Sequence, residues 1–488
     1  MNHSEQISDK SVFAGLLFLL VWAPLPLGSN RTWAIGLLLL VVVVLLVGTV
    51  VAWRNRSAAA LARLGTFRWP LGLLGMMMGL AWLQTMALPG AWVAALSPLT
   101  AAAQMPAEWM TLSLDVFQSR LMAVLSFLYF AVFVVALLTV RNARRLEIIA
   151  QVLVWSGVLQ AVIGAVLFSM NAQYQLFFTN VSHGRLVGTY VNPNHAAGYL
   201  SMCLCVGIGL MLARLGGRQG HHVNWKSRLV AVIEFILSAK MRLRLLLVVM
   251  VIALVLTRSR MGNSAFFSAM LVVGLVAFVL ARKTAPKMVA LIASLVVIDV
   301  LVVGTWVGLE RVVERIQDTE LTTEAGGKAE SVEARTEAAR TALAIVRDFP
   351  LTGTGGGSFY NLFLSYRTPD YALSYVDHAH NDFVEIATDF GLPGLGLLGV
   401  LVALTVWKML VVLARRRADL PRGMAFGVLM SMVALLVHST VDFNLQIPAN
   451  ALTMVVIMAM GWVAVALPSA RRRHAAAAAD HSATDQAP

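Results

Sequence analysis

The chain has 488 residues, of which 59% are hydrophobic and only 13% are charged, and its mean hydropathy is +0.76. A soluble globular protein carries about a quarter charged residues, so this composition excludes an ordinary water-soluble protein and predicts one solvated mainly by lipid. The net charge of +13 does not indicate nucleic-acid binding, because the basic residues fall in short clusters between apolar runs.

Long apolar runs recur along the chain, and a segment that crosses lipid alone must satisfy its own backbone hydrogen bonds as a helix. We therefore predict an all-α polytopic membrane protein with roughly twelve transmembrane helices of about 20 residues each. The predicted spans are 11–28, 33–53, 69–88, 121–140, 146–168, 196–215, 242–257, 264–281, 288–309, 382–410, 423–440 and 449–467. Cys203 and Cys205 lie inside the sixth span and are expected to be packing residues.

Basic clusters follow every second span, from the second to the twelfth, as expected for cytoplasmic loops. This alternation predicts that both termini are cytoplasmic and that the segments 86–120, 169–195 and 310–381 lie on the opposite face. The predicted divisions are N-terminal transmembrane helices at 1–145, transmembrane helices with arginine-bearing loops at 146–309, a large loop between spans nine and ten at 310–381, C-terminal transmembrane helices at 382–467 and a disordered cytoplasmic tail at 468–488.

The large loop contains its own helical pattern. Residues Glu333 to Asp348 alternate apolar and charged positions with helical spacing, and Pro350 predicts the end of that helix. The run from Gly353 to Gly357 predicts a tight turn. It lacks the lysine and the hydroxyl residue of a phosphate-binding loop, so we predict no nucleotide site there.

The stretch from Tyr375 to Gly394 carries the most unusual residues, because His378, His380 and Asn381 stand at the mouth of the tenth span. Titratable groups there usually mark a site, and histidine is the side chain best suited to proton transfer near neutral pH. The alternative is that two histidines lie in a solvated loop by chance. No HExxH, CxxC or acidic cluster accompanies them, so we predict no metal site.

Arginines on the face opposite the basic clusters need a separate explanation. Arg185 precedes the sixth span, Arg260 follows the seventh, and Arg335 and Arg340 lie in the large loop. A guanidinium group binds two oxygens at once, so these arginines are candidates for binding a phosphate or pyrophosphate. The alternative is that they bind lipid headgroups or pair with nearby glutamates.

Two further groups of polar residues lie on the same face. Asn192 and Asn194 belong to an Asn-Pro-Asn-His turn that either shapes a ligand pocket or only ends a loop. Asp442 and Asn444, between the last two spans, either line the same face or form a turn.

At these residues the sequence resembles the bacterial O-antigen ligase and O-antigen polymerase superfamily. The ligase signature of His, then Asn, Ser or Gln, nine residues and Gly-x-x-Gly is met by His380, Asn381 and Gly391-Leu-Pro-Gly394. Similar blocks are Gly184 to Asn194, the pair Ser259-Arg260, and Arg335 with the helix that ends before Gly353. The similarity extends over residues 150–450.

The resemblance implies a fold of the GT-C glycosyltransferase type in the bacterial inner membrane, with a large helical periplasmic loop. Such an enzyme transfers a glycan en bloc from undecaprenyl pyrophosphate to an acceptor hydroxyl on the periplasmic face, with neither a cofactor nor a metal, and inverts the anomeric centre. His380 would act as general base. The implied substrate-binding residues are Arg185, Arg260, Arg335, Arg340, Asn381, Asn192 and Asn194.

The implied partners are the lipid-linked glycan donor, a glycan acceptor and membrane lipids, with no nucleic acid. A ligase transfers the glycan to lipid A-core sugar, a polymerase transfers it to another lipid-linked repeat, and a related branch transfers it to protein hydroxyls. The histidine and arginine pattern does not separate these three. A transporter or flippase of a lipid-linked glycan stays as a different alternative, although it should carry polar residues at mid-membrane depth and show a repeat.

Overall fold

A computed structural model describes residues 3–178, 184–214, 238–280, 332–367 and 376–468. The predicted span at 288–309, residues 310–331 of the large loop and the tail after residue 468 lie outside these ranges. The helices are α1 His3–Trp22, α2 Thr32–Trp53, α3 Ser57–Thr66, α4 Arg68–Leu83, α5 Gly90–Leu96, α6 Pro98–Ala103, α7 Val116–Thr139, α8 Ala143–Ser169, α9 Pro193–Arg214, α10 Ala239–Leu256, α11 Arg260–Leu280, α12 Val332–Asp348, α13 Phe359–Phe363, α14 Asp382–Arg415, α15 Asp419–His438 and α16 Pro448–Ala466.

The connection between α4 and α7 contains two short strands. β1 (Leu88–Pro89) and β2 (Trp109–Met110) pair antiparallel, with Leu88 opposite Met110. Together with α5 and α6 they close a small lobe around Val93, Met110 and Leu112.

Eight stretches in the described ranges are long and apolar enough to cross a membrane, as the all-α polytopic prediction requires. They are Thr32–Gly65, Val116–Thr139, Ala143–Ser169, Pro193–Arg214, Arg260–Leu280, Asp382–Arg415, Asp419–His438 and Pro448–Ala466. The all-helical membrane architecture predicted from the sequence is therefore confirmed for this part of the chain.

Three predicted spans correspond to helices outside that set. The span at 11–28 is α1, which begins earlier than expected and ends at Trp22, because Pro24 and Pro26 follow it. The span at 69–88 is α4, which has only 16 residues. The span at 242–257 is α10, whose first two turns carry three basic residues, Lys240, Arg242 and Arg244.

The centre of the bundle is α9, which is buried along most of its length and packs against α8, α10 and α15. α9 and α15 cross closely because both present glycine at the contact. A Cβ built at Gly209 would lie 2.4 Å from the Gly423 carbonyl oxygen, and one at Gly423 would lie 2.3 Å from the Gly209 carbonyl oxygen. Small residues at a helix crossing allow this approach in a membrane bundle, where packing replaces the hydrophobic effect. Cys203 and Cys205, also on α9, are buried free thiols, as predicted.

The two ends of the bundle differ in charge. At one end, the basic end, arginines bind the last carbonyls of helices: Arg63 donates to Leu137 and Val140, and Arg145 donates to Thr139. Asp9 accepts from Arg141 at 2.5 Å and from Arg145 at 2.7 Å. A cation near a helix C-terminus is favourable, since free carbonyls gather there. The opposite end of the bundle is called the site end. It contains the first residues of α9, α11, α14 and α16 and the last residue of α15.

The helix predicted in the large loop is confirmed as α12, which ends two residues before Pro350. Its buried residues Ala338, Ala342 and Ile345 pack with Phe359 and Ala379. This contact attaches the loop to the segment that precedes α14.

Candidate active site

Asn381 is the N-terminal cap of α14. Its side-chain oxygen accepts hydrogen bonds from the backbone N–H groups of Phe383 and Val384, at 3.0 and 3.1 Å, and its amide donates to the Thr440 carbonyl at 2.9 Å. Asp382 and Glu385 follow in the first turn, where negatively charged carboxylates stabilise the N-terminus of a helix. Asn381 therefore determines where α14 begins and so where His378 and His380 lie.

Asp382 connects the start of α14 to the end of α15. Its fully buried carboxylate accepts from the Ser439 hydroxyl at 2.5 Å and from the Leu445 backbone N–H at 3.1 Å. The Asp382 N–H donates in turn to the Ser439 carbonyl at 3.0 Å. This side chain holds the helix ends together beneath the histidines.

The ring of Phe443 is the common contact of three histidines. His378 stacks on it with ring centroids 4.0 Å apart, and the rings of His195 and His380 lie at 4.6 and 5.1 Å. His195 belongs to the first turn of α9, whereas His378 and His380 precede α14. The structure thus brings together two parts of the chain that are distant in sequence.

His380 itself adopts a left-handed backbone conformation, with φ of 50°. A residue other than glycine there costs of order 1–3 kcal/mol and persists only when its surroundings impose it. Such strain is found at functional sites more often than elsewhere, which is consistent with a role for His380.

His378 is held by Glu385. The His378 Nδ1 atom lies 2.6 Å from Glu385 Oε1, and the other carboxylate oxygen accepts from the Ala379 N–H at 2.9 Å. Burial by itself lowers the pKa of His378, but the charge and hydrogen bond of Glu385, with Asp377 and Asp382 nearby, raise the pKa to about 9. The structure therefore favours an imidazolium at position 378 at neutral pH.

A buried ion cluster lies beside these residues. Asp442 Oδ1 lies 3.6 Å from His195 Nε2, and Asp442 Oδ2 lies 3.5 Å from His438 Nε2. Burial tends to raise the pKa of Asp442, but the two histidines beside it hold the pKa well below its usual range. Asp442 thus lies beside the site histidines, and its Oδ1 atom also accepts from the Phe443 N–H in the turn.

An amide network continues from this cluster. The Asn450 amide donates to the His195 carbonyl and to the Asn444 side-chain oxygen, both at 3.1 Å, and Tyr190 donates to the Asn450 oxygen at 3.0 Å. The network ties the start of α9 to the start of α16. His195, His438 and Asn450 were not proposed from the sequence, although the His438–Asp442 spacing of four residues across a helix end was a usable signal.

Two of the four arginines predicted from the sequence, Arg185 and Arg260, lie at the site end of the bundle. The Leu186 N–H donates to the Leu256 carbonyl at 2.9 Å, which places the segment containing the exposed Arg185 against the end of α10. Arg258, two residues before Arg260, approaches the same segment: a Cβ built at Gly184 would lie 3.6 Å from Arg258 Nη1. Arg258 is also left-handed, with φ of 53°.

Arg260 is the exposed first residue of α11. The first turn of this helix packs against the site, because a Cβ built at Gly262 would lie 2.6 Å from the Ala197 Cβ and 3.3 Å from His438 Cε1. The beginning of α11 is thereby attached both to α9 and to the His438 end of α15. Arg185 and Arg260 therefore both stand at the site end of the bundle, Arg185 beside the end of α10 and Arg260 at the start of α11.

The remaining predicted residues differ in their surroundings. The Asn192 side-chain oxygen accepts from the Asn194 N–H at 2.8 Å, so these residues form the predicted turn at the start of α9. Arg340 is exposed on α12, on the side away from the buried Ala338 and Ala342. The side chain of Arg335 lies outside the part of the chain that the structure describes.

The glycine run in the large loop fills a break in α14. Gly391 has φ of 67° and ψ of −177°, and Pro393 has no N–H to donate, so carbonyls in the preceding turn lose their helical partners. Thr354 N–H donates to the Thr388 carbonyl at 2.8 Å, and Gly355 N–H donates to the Asp389 carbonyl at 3.1 Å. Such a break at membrane depth is tolerated where protein groups satisfy the backbone.

Gln84, at the end of α4, provides further hydrogen bonds to the backbone at this break. Its amide donates to the Thr352 and Asp389 carbonyls, at 2.8 and 2.7 Å, and its oxygen accepts from the Gly356 N–H at 3.1 Å. The Gly-x-x-Gly part of the ligase signature thus provides the break, and the glycine run provides the segment that fits into it.

A family model described as O-antigen ligase matches residues 245–399. The resemblance to the O-antigen ligase and polymerase superfamily is confirmed. This O-antigen ligase region contains Arg260, Arg335, Arg340, the two histidines that precede α14, and the break at Gly391. Arg185, His195 and Asp442 lie outside it and reach the site through the fold. No curated protein matches the chain.

Proposed function

We propose that the protein is a membrane glycosyltransferase that moves an undecaprenyl-pyrophosphate-linked glycan en bloc to an acceptor hydroxyl. The O-antigen ligase match supports the general activity and a glycosyltransferase-like enzyme. The observation that carries the proposal is the meeting of His378, His380 and His195 around Phe443, at the bundle end where Arg185 and Arg260 also stand.

The proposed reaction is a direct displacement. The acceptor oxygen attacks the anomeric carbon, the bond from that carbon to the pyrophosphate oxygen breaks, and the electron pair leaves with the pyrophosphate. His380 accepts the hydroxyl proton as general base. Attack from the face opposite the leaving group inverts the anomeric centre.

The arginines would hold the donor. Pyrophosphate is already a good leaving group, so the protein's main tasks are to orient the two substrates and to neutralise the charge on the phosphates. Arg185 and Arg260 fit this task as exposed guanidinium groups at the site end of the bundle, and we assign Arg258, which lies near Gly184, to the same task. The other predicted residues would contact the sugars or the phosphates, or would shape the site. These residues are Arg335, Arg340, Asn192, Asn194 and Asn381.

The proposed orientation places the site end in the periplasm and the basic end in the cytoplasm of a bacterial inner membrane. Arg63, Arg141, Arg145 and Arg416 support it, since basic residues concentrate on the cytoplasmic side. The start of α1 and the end of α16 both lie at the basic end, where Asp9 meets Arg141 and Arg416 donates to Leu467.

The test is the lipopolysaccharide and exopolysaccharide profile of a strain that lacks the protein, complemented with wild type or His380→Ala. Long lipid-linked glycan beside bare core would assign a ligase, and single repeat units without long chains would assign a polymerase. His380→Ala should not restore the profile although it reaches the membrane normally. An unchanged profile in the deletion strain would contradict both assignments and favour glycan transfer to protein or a transporter.

A further inference from the structure

The surroundings of His378 differ from those of an ordinary loop histidine. Its partner Glu385 is almost fully buried, and both carboxylate oxygens are used: one at 2.6 Å from His378 Nδ1, the other at 2.9 Å from the Ala379 N–H. A carboxylate that is anchored twice cannot rotate away. It therefore fixes the position of Nδ1 and stabilises a proton on that atom.

The other contact of His378 fixes the plane of the ring. The ring lies nearly parallel to Phe443, at an interplanar angle of 22° and a centroid distance of 4.0 Å. About a quarter of the side chain is exposed, at 26%. Within the described ranges Nε2 makes no hydrogen bond, so this nitrogen is available to a ligand.

The charged groups around His378 favour the protonated ring. Glu385 contacts it from the first turn of α14, and Asp377 and Asp382 lie nearby. Across Phe443 stand His195 and His380. The pKa of His378 is raised above the value near 6.5 of a free histidine, so the ring keeps its proton at neutral pH and loses it only toward pH 9. A base has the opposite requirement, because it must be neutral before it acts.

We propose that His378 is a second catalytic residue of this site: a fixed imidazolium whose Nε2–H donates to a phosphate oxygen of the leaving pyrophosphate. This inference rests on the proposed function. The proton of the acceptor hydroxyl goes to His380, and the pyrophosphate oxygen takes the electron pair of the broken bond. His378 keeps its own proton and stabilises the charge that develops on that oxygen.

The arrangement divides two roles between histidines that are two residues apart. A site needs both a proton acceptor and a cationic donor at the same pH. It obtains them when different surroundings give two neighbouring titratable groups different charges. Here Glu385 contacts His378, and the residue between the histidines, Ala379, is buried and bonded to the same carboxylate.

The experiment uses three variants of the full chain in lipid nanodiscs, with an undecaprenyl-pyrophosphate-linked glycan as donor, and measures transfer between pH 6 and pH 10. His378→Asn keeps an N–H for Glu385 at the position of Nδ1 but removes the charge and Nε2. Glu385→Gln removes the carboxylate that favours the imidazolium. Asp377→Asn is the matched control, because it removes a nearby negative charge without breaking the contact with Glu385.

We expect wild-type activity to fall on the alkaline side near pH 9. In Glu385→Gln this fall should move to lower pH by about one unit or more, whereas Asp377→Asn should shift it less, since charge without a hydrogen bond contributes less. His378→Asn should lose about 10²–10³-fold in kcat, the usual effect of removing one donor to a developing charge, and the alkaline fall should disappear.

Transfer by His378→Asn within a few-fold of wild type would overturn the inference, as would an alkaline fall unchanged in Glu385→Gln. If the wild-type protein transfers glycan, either of these two results refutes only the role of His378 and leaves the proposed function intact. A wild-type protein that transfers no glycan to any acceptor would instead refute the proposed function on which the inference rests.

Discussion

Nε2 of His195 lies 3.6 Å from Oδ1 of Asp442, inside a part of the protein where both side chains are more than nine-tenths buried. The contact joins the first turn of α9 to the connection between α15 and α16. Since Phe443 follows Asp442 and carries the ring on which His378 stacks, this ion cluster supports the floor of the proposed active site.

Asp442→Asn should destabilise the protein and lower its activity. The carboxylate faces two histidines, and removing one partner of a buried ion cluster costs about 3–5 kcal/mol when the geometry is good. At 3.5–3.6 Å the contacts are long, so we expect the lower part of that range. Thermal unfolding in detergent measures the effect, with Asp419→Asn, an exposed carboxylate at the basic end, as the control.

The same variant has an expected pH dependence. The pKa of Asp442 is depressed in the folded protein, so its stabilising contribution is present above the unfolded pKa, near 3.9, and is lost as the pH falls through the folded pKa. Wild type and Asp442→Asn should therefore differ at neutral pH and converge in strong acid. Equal unfolding temperatures at pH 7 would contradict the role given to the cluster.

Gly391→Ala should be strongly destabilising. The backbone there is left-handed, and a Cβ would lie 2.8 Å from the Leu351 carbonyl and 2.9 Å from that of Pro350. We expect a loss of at least 1–3 kcal/mol, the cost of about one strained residue, with the clash added. Gly396→Ala in the same helix is the control, because nothing lies within 4 Å of its Cβ position.

The measurement for this pair is the yield of folded protein and its unfolding temperature. Gly396→Ala should be neutral or slightly stabilising, since alanine favours a helix over glycine by about 0.5–1 kcal/mol. Equal behaviour of the two variants would mean that the glycine run does not depend on the break in α14.

Arg260→Lys should separate paired binding from simple charge attraction. Lysine keeps the charge but loses the two-pronged geometry, and one charge-assisted hydrogen bond is worth about 1.5–3 kcal/mol, or roughly 10- to 100-fold in kcat/KM. Arg144→Lys, exposed at the basic end, is the matched control and should not change activity. Near-native transfer by Arg260→Lys would favour charge attraction alone.

Cysteine labelling tests the orientation in the membrane. Ser365→Cys, at an exposed position two residues after α13, should react with an impermeant maleimide in intact cells. Ser57→Cys, exposed at the start of α3 at the basic end, should react only after permeabilisation. The native Cys203 and Cys205 are buried, which keeps the background low. The reverse pattern would place the site in the cytoplasm.

Much of the architecture was predictable because the lipid solvent constrains it strongly. Apolar length gives the spans, and the helix before Pro350 followed from a periodic pattern and a residue that ends helices. The weaker predictions were helix ends. α1 ends at Trp22 because two prolines follow it, and a hydropathy profile does not show that proline ends a helix. α4 is shorter than its apolar run.

The site was predictable only where its residues are neighbours in sequence. His380 and Asn381 belong to a local motif, and the Asn192 turn is a local hydrogen bond. His195 and Gln84 could not be placed, because their partners are distant in the chain, whereas His438 had a usable signal in its spacing of four residues from Asp442. The contact between Gln84 and Asp389 depends on how α4 packs against α14.

The sequence by itself determined that this protein is a helical membrane protein similar to O-antigen ligases, because solvation by lipid and a local signature are both properties of short segments. Only the tertiary structure decided which histidine meets which carboxylate. Glu385 holds His378, and Asp442 lies between His195 and His438. The Asp442 contacts depend on where helices from different parts of the chain begin and end at one face, and glycines on α9 and α15 allow those two helices to pack closely.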